Sequence, residues 1–356
     1  MPAVPKSKSL RSATSEVYAA AASMRAPLFI VPPLRSGSAV VRSLLGTVAR
    51  WKGVVILNYH RIGDGRRSLF DRGLWSATRE DFDAQVRWLK AEFDVISPRD
   101  LPAVKRGRHA MITFDDGYAD NYTDAFSVLK ANATPGTFFV ATGFIDQPHL
   151  PWWDEIAWMV RTSKRSDIAL PDYMPARVVL DEPEREQAVR TLLRIYKKLA
   201  GDRTAAYLNA VGEATGSGRA SADVVDVRAL WMNWDMLREM HAAGMTIGGH
   251  TVNHPVLSRL TRAEQEAEIV ECDRRIRDEL HAPMHAFAYP VGAPDAFNPA
   301  TRECLRRVGV QAAFSYYGGY RRLTQCDDFD IPRIAVEQET TLADFKAAVM
   351  CPWMST

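Results

Sequence analysis

No stretch of the chain approaches the roughly 18–20 apolar residues that a membrane-crossing helix needs, so a transmembrane protein is not expected. Cysteine is sparse: Cys272, Cys304, Cys326 and Cys351 are scattered, with no C-x-x-C pair. That spacing excludes a disulfide-stapled scaffold and paired-cysteine zinc sites, and the four are expected as reduced thiols. Charge of one sign is not in excess either. The 45 basic and 43 acidic residues leave a net charge of +2, too little for the basic face that a nucleic-acid partner requires. Near the N-terminus basic residues precede Ala19–Ala22 and Leu28–Val31, but Arg25 and Pro32–Pro33 break the continuous apolar stretch of a secretion signal. A cytoplasmic location is favoured on that ground. No internal repeat or low-complexity tract is present, and nothing in the chain reports an oligomeric state.

What is present fits a globular enzyme. With 47% hydrophobic and 25% charged residues, the chain can bury a sizeable core. Its 356 residues suit one α/β barrel of about 250–300 residues with extensions. Residues 1–52 hold eight Lys or Arg against one acid, Glu16, which predicts a basic, poorly ordered arm with peripheral contact to acidic lipid or polymer as its second use. From Trp51 onward, short apolar runs alternate with amphipathic segments, the signature of a parallel sheet wrapped by helices. Strands are expected at Val54–Tyr59, Phe93–Ser97, Ala110–Phe114, Gly136–Ala141, Met245–Gly249, His285–Tyr289, Val310–Phe314 and Ile331–Val336. Helices are expected at Asp81–Ala91, Asp120–Lys130, Trp234–Ala243 and Arg262–Leu280, the last opened by a Thr261/Glu264 capping box. Residues 152–231 show no convincing strand but a helical spacing over Glu184–Ala200, and read as a helical insertion in a barrel spanning 53–350.

Chemistry concentrates after two of the strands, which is where such barrels place it. Asp115-Asp116-Gly117 follows Ala110–Phe114, and two adjacent carboxylates there cost stability unless something positive lies beside them. His250-Thr251-Val252-Asn253-His254 follows Met245–Gly249, and its i, i+4 imidazoles would share one side of a helical turn, with Gly248 and Gly249 allowing close backbone approach to a bound group. Either motif alone has a bland reading, a helix cap or a surface histidine pair. Their position on one rim changes that, because a carboxylate with two neutral imidazoles is a catalytic metal set with open positions for water. Zinc is the default ion, with cobalt, nickel or manganese as substitutes.

Thr113-Phe114-Asp115-Asp116-Gly117, His250-Thr251-x-x-His254 and Phe287-Ala288-Tyr289-Pro290-Val291-Gly292 together resemble the signature motifs of the polysaccharide deacetylase (NodB-homology) family. The resemblance covers roughly Val54 to Val349 and implies an irregular barrel of seven or eight (β/α) units. It implies Asp116, His250 and His254 as ligands of a divalent metal and Asp115 as general base. The implied reaction removes N-acetyl groups from N-acetylglucosamine-type polysaccharides, oligosaccharides or glycoconjugates. The ion would polarise the amide carbonyl and acidify an attacking water, while a backbone N–H in the Tyr289–Val291 turn would meet the oxyanion.

The chain departs from the pattern in two places. Ala288 stands where the common third motif has Arg and Val291 where it has Tyr, and no histidine follows His285. Members that act on poly-N-acetylglucosamine carry their acid in an early strand ending Tyr-His, and this chain has Tyr59-His60. His60 is therefore expected as general acid and Arg333 as the substitute that orients Asp115. Tyr118, Trp152, Trp153 and Tyr289 are candidates to stack on a sugar ring, with Asp154 adding a hydrogen bond. Hydrolysis of non-sugar amides such as cyclic imides, and silent carbohydrate binding, are the competing functions. The missing Arg and His lean toward silent binding, while retention of a base beside the ligand set opposes it.

Overall fold

Along each strand of the main sheet, side chains alternate between two apolar surroundings, which is what a period of two produces when both faces are covered. The computed structural model describes residues 51–220, 226–324 and 326–354; the basic arm to residue 50 lies outside the described residues. Seven strands carry the site: β1 (Gly53–Tyr59), β2 (Arg108–Phe114), β3 (Thr137–Val140), β4 (Thr246–Gly249), β5 (Ala286–Ala288), β6 (Ala312–Phe314) and β7 (Ile334–Ala335). Parallel pairing runs β6-β5-β4-β3-β2-β1. The segment leading into β7 bridges the two ends, with Ile331 beside Phe314 and Ile334 beside Leu57, so the sheet curls closed. The expected strand at Phe93–Ser97 is only Asp94–Val95, paired to the foot of β2.

Inside the curl, Val54 and Ile56 meet Met111, Phe139, Ala286, Ala288, Phe314 and Ile331. The alternate residues, Val55, Leu57, Ala110, Ile112, Phe114 and Ile247, face outward onto Phe82, Val86, Leu237, Met240, Ile269 and Ile276 of the helices Arg79–Glu92, Trp234–Ala242 and Arg262–Leu280. Each such side chain contributes about 1.5–3 kcal/mol, and a one-residue slip would exchange the two faces, so the register is strongly set. Helix Arg262–Leu280 opens with the expected Thr261/Glu264 capping box. The predicted helix at Asp120–Lys130 begins instead as a π-helical turn, Asn121–Phe126, before Ser127–Ala131.

The insertion has its own core. Helices Trp152–Thr162, Arg185–Tyr196 and Thr204–Thr215 enclose Ile156, Met159, Leu192, Tyr207 and Val211, and Tyr118 and Phe144 join that cluster from the barrel side. It also contains an antiparallel pair, Asp167–Ile168 with Val178–Val179, whose two-residue strands are too short to leave an alternating pattern in the sequence. Trp51, placed in the arm by the sequence, packs on Phe93 and Tyr320 as part of the barrel. All four cysteines are free, and no described helix is long and apolar enough to cross a membrane.

Candidate active site

Strand parity builds the floor of the site. The inward positions Val54 and Ile56 lead to Asn58, Met111 and Thr113 lead to Asp115, and Ile331 leads to Arg333. At the top of the curl these polar side chains meet. Arg333 Nη1 and Nη2 donate to Asp115 Oδ1 and Oδ2, each at 2.7 Å, a bidentate grip. Nη1 also donates to Asn58 Oδ1 at 2.7 Å and Nε to the Ser315 carbonyl at 2.9 Å. Asn58 Nδ2 completes the set toward Asp115 Oδ2 at 3.3 Å. Arg333 is 0% exposed. Burial alone would raise the Asp115 carboxyl; the Arg333 charge, then that of His250, overrides it and holds the group ionised well below the usual carboxylate range. Ala288 on β5 has no side chain to make this contact, and Arg333 on the closing segment makes it.

The next carboxylate leaves the strand through a turn. Asp116 (φ 76°) and Gly117 (φ 97°) are left-handed, as are Thr251 (68°), His254 (54°) and Val291 (64°). Among the described residues, four of the six non-glycine residues in that region thus sit around this site, at a cost of about 1–3 kcal/mol each that the surroundings must impose. For Thr251 to His254 the restraint is visible. Thr251 Oγ1 accepts the His254 N–H at 2.9 Å, and Glu268 Oε2 accepts those of Val252 and Asn253 at 2.8 and 2.9 Å. The two imidazoles therefore share a side because of a strained, tied loop and not because of the helical turn their spacing suggested. Gly248 and Gly249 serve strand packing, since a Cβ would strike the Ala286 carbonyl and the Met284 sulfur respectively.

His250 Nδ1 lies 2.8 Å from the Ala288 carbonyl, which fixes Nδ1 as the protonated nitrogen and turns the Nε2 lone pair inward. Nε2 of His250 and of His254 lie 3.5 and 3.4 Å from Asp116 Oδ1, and the three candidate donor atoms all fall within 4.8 Å of one another. Asp116 Oδ1 is buried with no hydrogen-bond partner. Donors about 2.1 Å from a tetrahedral ion stand roughly 3.4 Å apart, so the spacing and the orphaned oxygen both fit a divalent metal. Burial and the neighbouring His250 push His254 down to about 3, keeping it neutral as a ligand must be. Burial opposes charge on His250 as well, but the carboxylates of Asp115 and Asp116 outweigh it and raise that group.

These residues open onto a cleft of about 430 Å³ that His60, Trp152, Trp153, Tyr289, Val291 and Tyr316 also line. His60 is pinned by its backbone, its N–H donating to Ser76 Oγ at 3.0 Å and its carbonyl accepting from Asn121 Nδ2 at 2.7 Å. Trp153 sets its ring against His254 at 4.4 Å, and Trp152 stacks on Tyr196 at 4.1 Å. Two expected sugar contacts are placed otherwise, while Tyr289 lines the cleft with its ring packed from behind. Tyr118 is fully buried between Trp231 at 4.6 Å and the Arg61 guanidinium at 4.4 Å. Asp154, also away from the cleft, accepts the Tyr118 hydroxyl at 2.7 Å and the Asp71 N–H at 2.9 Å, while Tyr118 accepts the Trp153 indole N–H at 2.8 Å. Tyr118 and Asp154 thus brace Trp153. Tyr289 stacks on Phe297 at 3.8 Å and donates its hydroxyl to the Phe329 carbonyl and its N–H to that of Phe314. Pro290 has no N–H, which leaves that of Val291 as the donor of the turn.

Asn58, which supports Asp115 from below, and Tyr316 with a row of cations, Arg190, Arg194 and Lys197, which line the cleft, were not singled out from sequence. Asn58 carried a signal, a polar residue inside an apolar strand; the cations carried one in their i, i+4, i+7 spacing; Tyr316 carried none.

A polysaccharide deacetylase family model matches residues 103–166 and 187–313. YxkH of Bacillus subtilis (strain 168), assigned by name to the polysaccharide deacetylases, is 20% identical over 263 residues, covering 72% of this chain and 62% of its own. The chain thus spans about 62% of the length of that curated relative. Among solved structures, the Streptococcus pyogenes deacetylase PplD in complex with acetate superposes with a TM-score of 0.55 at 17% identity, covering 83% of this chain and 98% of PplD. IcaB from Ammonifex degensii gives 0.51 at 19%, covering 84% and 96%. At these identities the likeness is one of fold.

Proposed function

Because the chain belongs to the polysaccharide deacetylase family, we propose that it is a metal-dependent hydrolase that removes N-acetyl groups from N-acetylglucosamine-type glycans or glycoconjugates. The observation that carries this reading is an ionised, Arg333-gripped Asp115 beside an orphaned Asp116 oxygen that faces two imidazoles. Asp116, His250 and His254 would hold the ion. When bound, it supplies the Lewis acidity to polarise an amide carbonyl and bring the pKa of an attacking water toward about 7.

The chain's own groups do the rest. Asp115, fixed in direction by the two Arg333 bonds, takes the water's proton as the new C–O bond forms. The Val291 N–H, aimed by its left-handed backbone, meets the developing oxyanion. His60 delivers a proton to the leaving nitrogen as the C–N bond breaks, releasing acetate and a free amine. Trp152 and Trp153 offer apolar surface to the sugar on the far wall. The test combines metal analysis with acetate release from chito-oligosaccharides of several lengths. Acetate equal to new amine, abolished by chelation and restored by zinc, is expected. Ammonia or carbamoyl products from cyclic imides, or sugar binding without turnover, would overturn the assignment.

A further inference from the structure

The helix Arg185–Tyr196 turns Val189, Leu192 and Leu193 into the insertion's core. On another face it presents Arg190 and Arg194, and Lys197 follows one residue past its end. All three are exposed at the cleft. Like charges one turn apart repel, so such a row is normally interleaved with acids. The neighbouring cations are: Arg72 and Arg161 both pair with Glu186, and Arg185 pairs with Glu182. Among the described residues no carboxylate comes within ion-pair distance of Arg190, Arg194 or Lys197. Arg190 Nε donates only to Gln187 Oε1, at 3.3 Å. Asp71, which also lines the cleft, accepts the Gly73 N–H on Oδ1 at 3.0 Å and attracts Lys197 only from beyond ion-pair distance.

The row lies close to the chemistry. Lys197 Nζ is 6.0 Å from the centre of the Trp152 ring, and the Trp152 indole N–H donates to the His254 carbonyl at 3.4 Å. One ligand can therefore present an acetamido group at Asp115 and a charged group at the helix. Guanidinium forks match both phosphate and carboxylate oxygens, and three cations gathered on one wall of the cleft attract an anion to that wall, opposite the carboxylates Asp115 and Asp116. We propose that Arg194 and Lys197, extended by Arg190, form an anion subsite, and that the preferred substrate is an N-acetylated glycan carrying a phosphate or uronate group near the acetamido sugar. This rests on the deacetylase reading of the same cleft.

The test is a binding titration of the full chain, which needs no turnover. The probes are N-acetylglucosamine 1-phosphate, an N-acetylglucosamine–glucuronate disaccharide and, as the neutral reference, N,N'-diacetylchitobiose. At least one anionic probe is expected to bind about tenfold more tightly than the neutral one at low salt, with the preference collapsing at high salt. The two anionic arms identify which group the subsite takes. The double variant Arg194→Gln, Lys197→Gln should abolish the preference, and Arg194→Glu should remove most of it. Equal affinity for all probes, or a preference that survives the double variant, overturns the subsite. Anion-selective binding with no acetate released from any probe overturns the deacetylase reading alone, whereas acetate from chitobiose without anion preference overturns only the subsite.

Discussion

The two walls of the cleft are built in opposite ways. On the barrel side, Asp115, Asp116, His250, His254 and Arg333 are all nearly or fully buried, sit at or just beyond strand ends, and are tied by hydrogen bonds or strained backbone. On the insertion side, Arg190, Arg194 and Lys197 are long, exposed side chains that, among the described residues, have no carboxylate within ion-pair distance. A proton transfer or a shared ion demands atoms fixed to fractions of an ångström, and folding prepays that entropy when short side chains are packed into the barrel. Recognition of charge acts over longer distances and tolerates movement. The walls meet at His254, on which Trp153 of the insertion packs while it is held through Tyr118 by Asp154.

If the barrel side is the rigid chemical half, the largest effects belong there. Replacing Asp116, His250 or His254 by Ala should release the metal and slow turnover roughly a thousandfold or more, whereas Asp115→Asn should keep the metal and still lose about 10²–10⁴-fold. Metal content measured beside rate separates these cases, and equal metal loss in all four variants would break the division. Arg333→Met should cost roughly 3–5 kcal/mol in denaturant unfolding, because it leaves the buried Asp115 charge unpaired. A stable Arg333→Met protein with unchanged activity would show that the grip on Asp115 is dispensable. His60→Ala should lower the rate about a hundredfold without lowering metal content, and an unchanged rate removes His60 from the proton transfer.

The smallest effect probes the joint. Burial pushes Asp154 up to about 7, with Arg61 and its hydrogen-bond donors only partly offsetting it. The unfolded chain releases this proton near the ordinary value of 3.8, while the folded protein keeps it until about pH 7. The site's contribution to stability therefore falls as pH rises between those values. Asp154→Asn should flatten that part of the profile, so melting temperatures of variant and wild type measured at about pH 5 and about pH 7 should converge or cross. Parallel profiles would mean that Asp154 is not held protonated.

Much of the frame could be read because strands covered on both sides leave continuous apolar runs, and each expected run of the main sheet contains a strand. That Asp116, His250 and His254 come together was legible from residue types and position after strands, although the reason offered for bringing the histidines together, a helical turn, is replaced by a loop tied to Glu268. Arg333 could be named as a substitute but not justified, since nothing in Ile331-Pro332-Arg333-Ile334 states that the segment closes the sheet between β6 and β1. Tyr118 and Asp154 looked like ligand contacts because polar aromatics and acids after strands look alike whether they face a cleft or a core.

Local pattern thus determined most of the elements, their order and which polar groups stand at the strand ends, because periodicity and side-chain chemistry are properties of short stretches. Long-range packing decided which of those atoms point at one another. Asp115 and Arg333 are 218 residues apart in the chain and meet only because inward parity on two strands survives closure of the sheet. Whether a polar side chain becomes a ligand, a brace or a wall depends on which face of its element the fold leaves open, and that is set by contacts no local stretch contains.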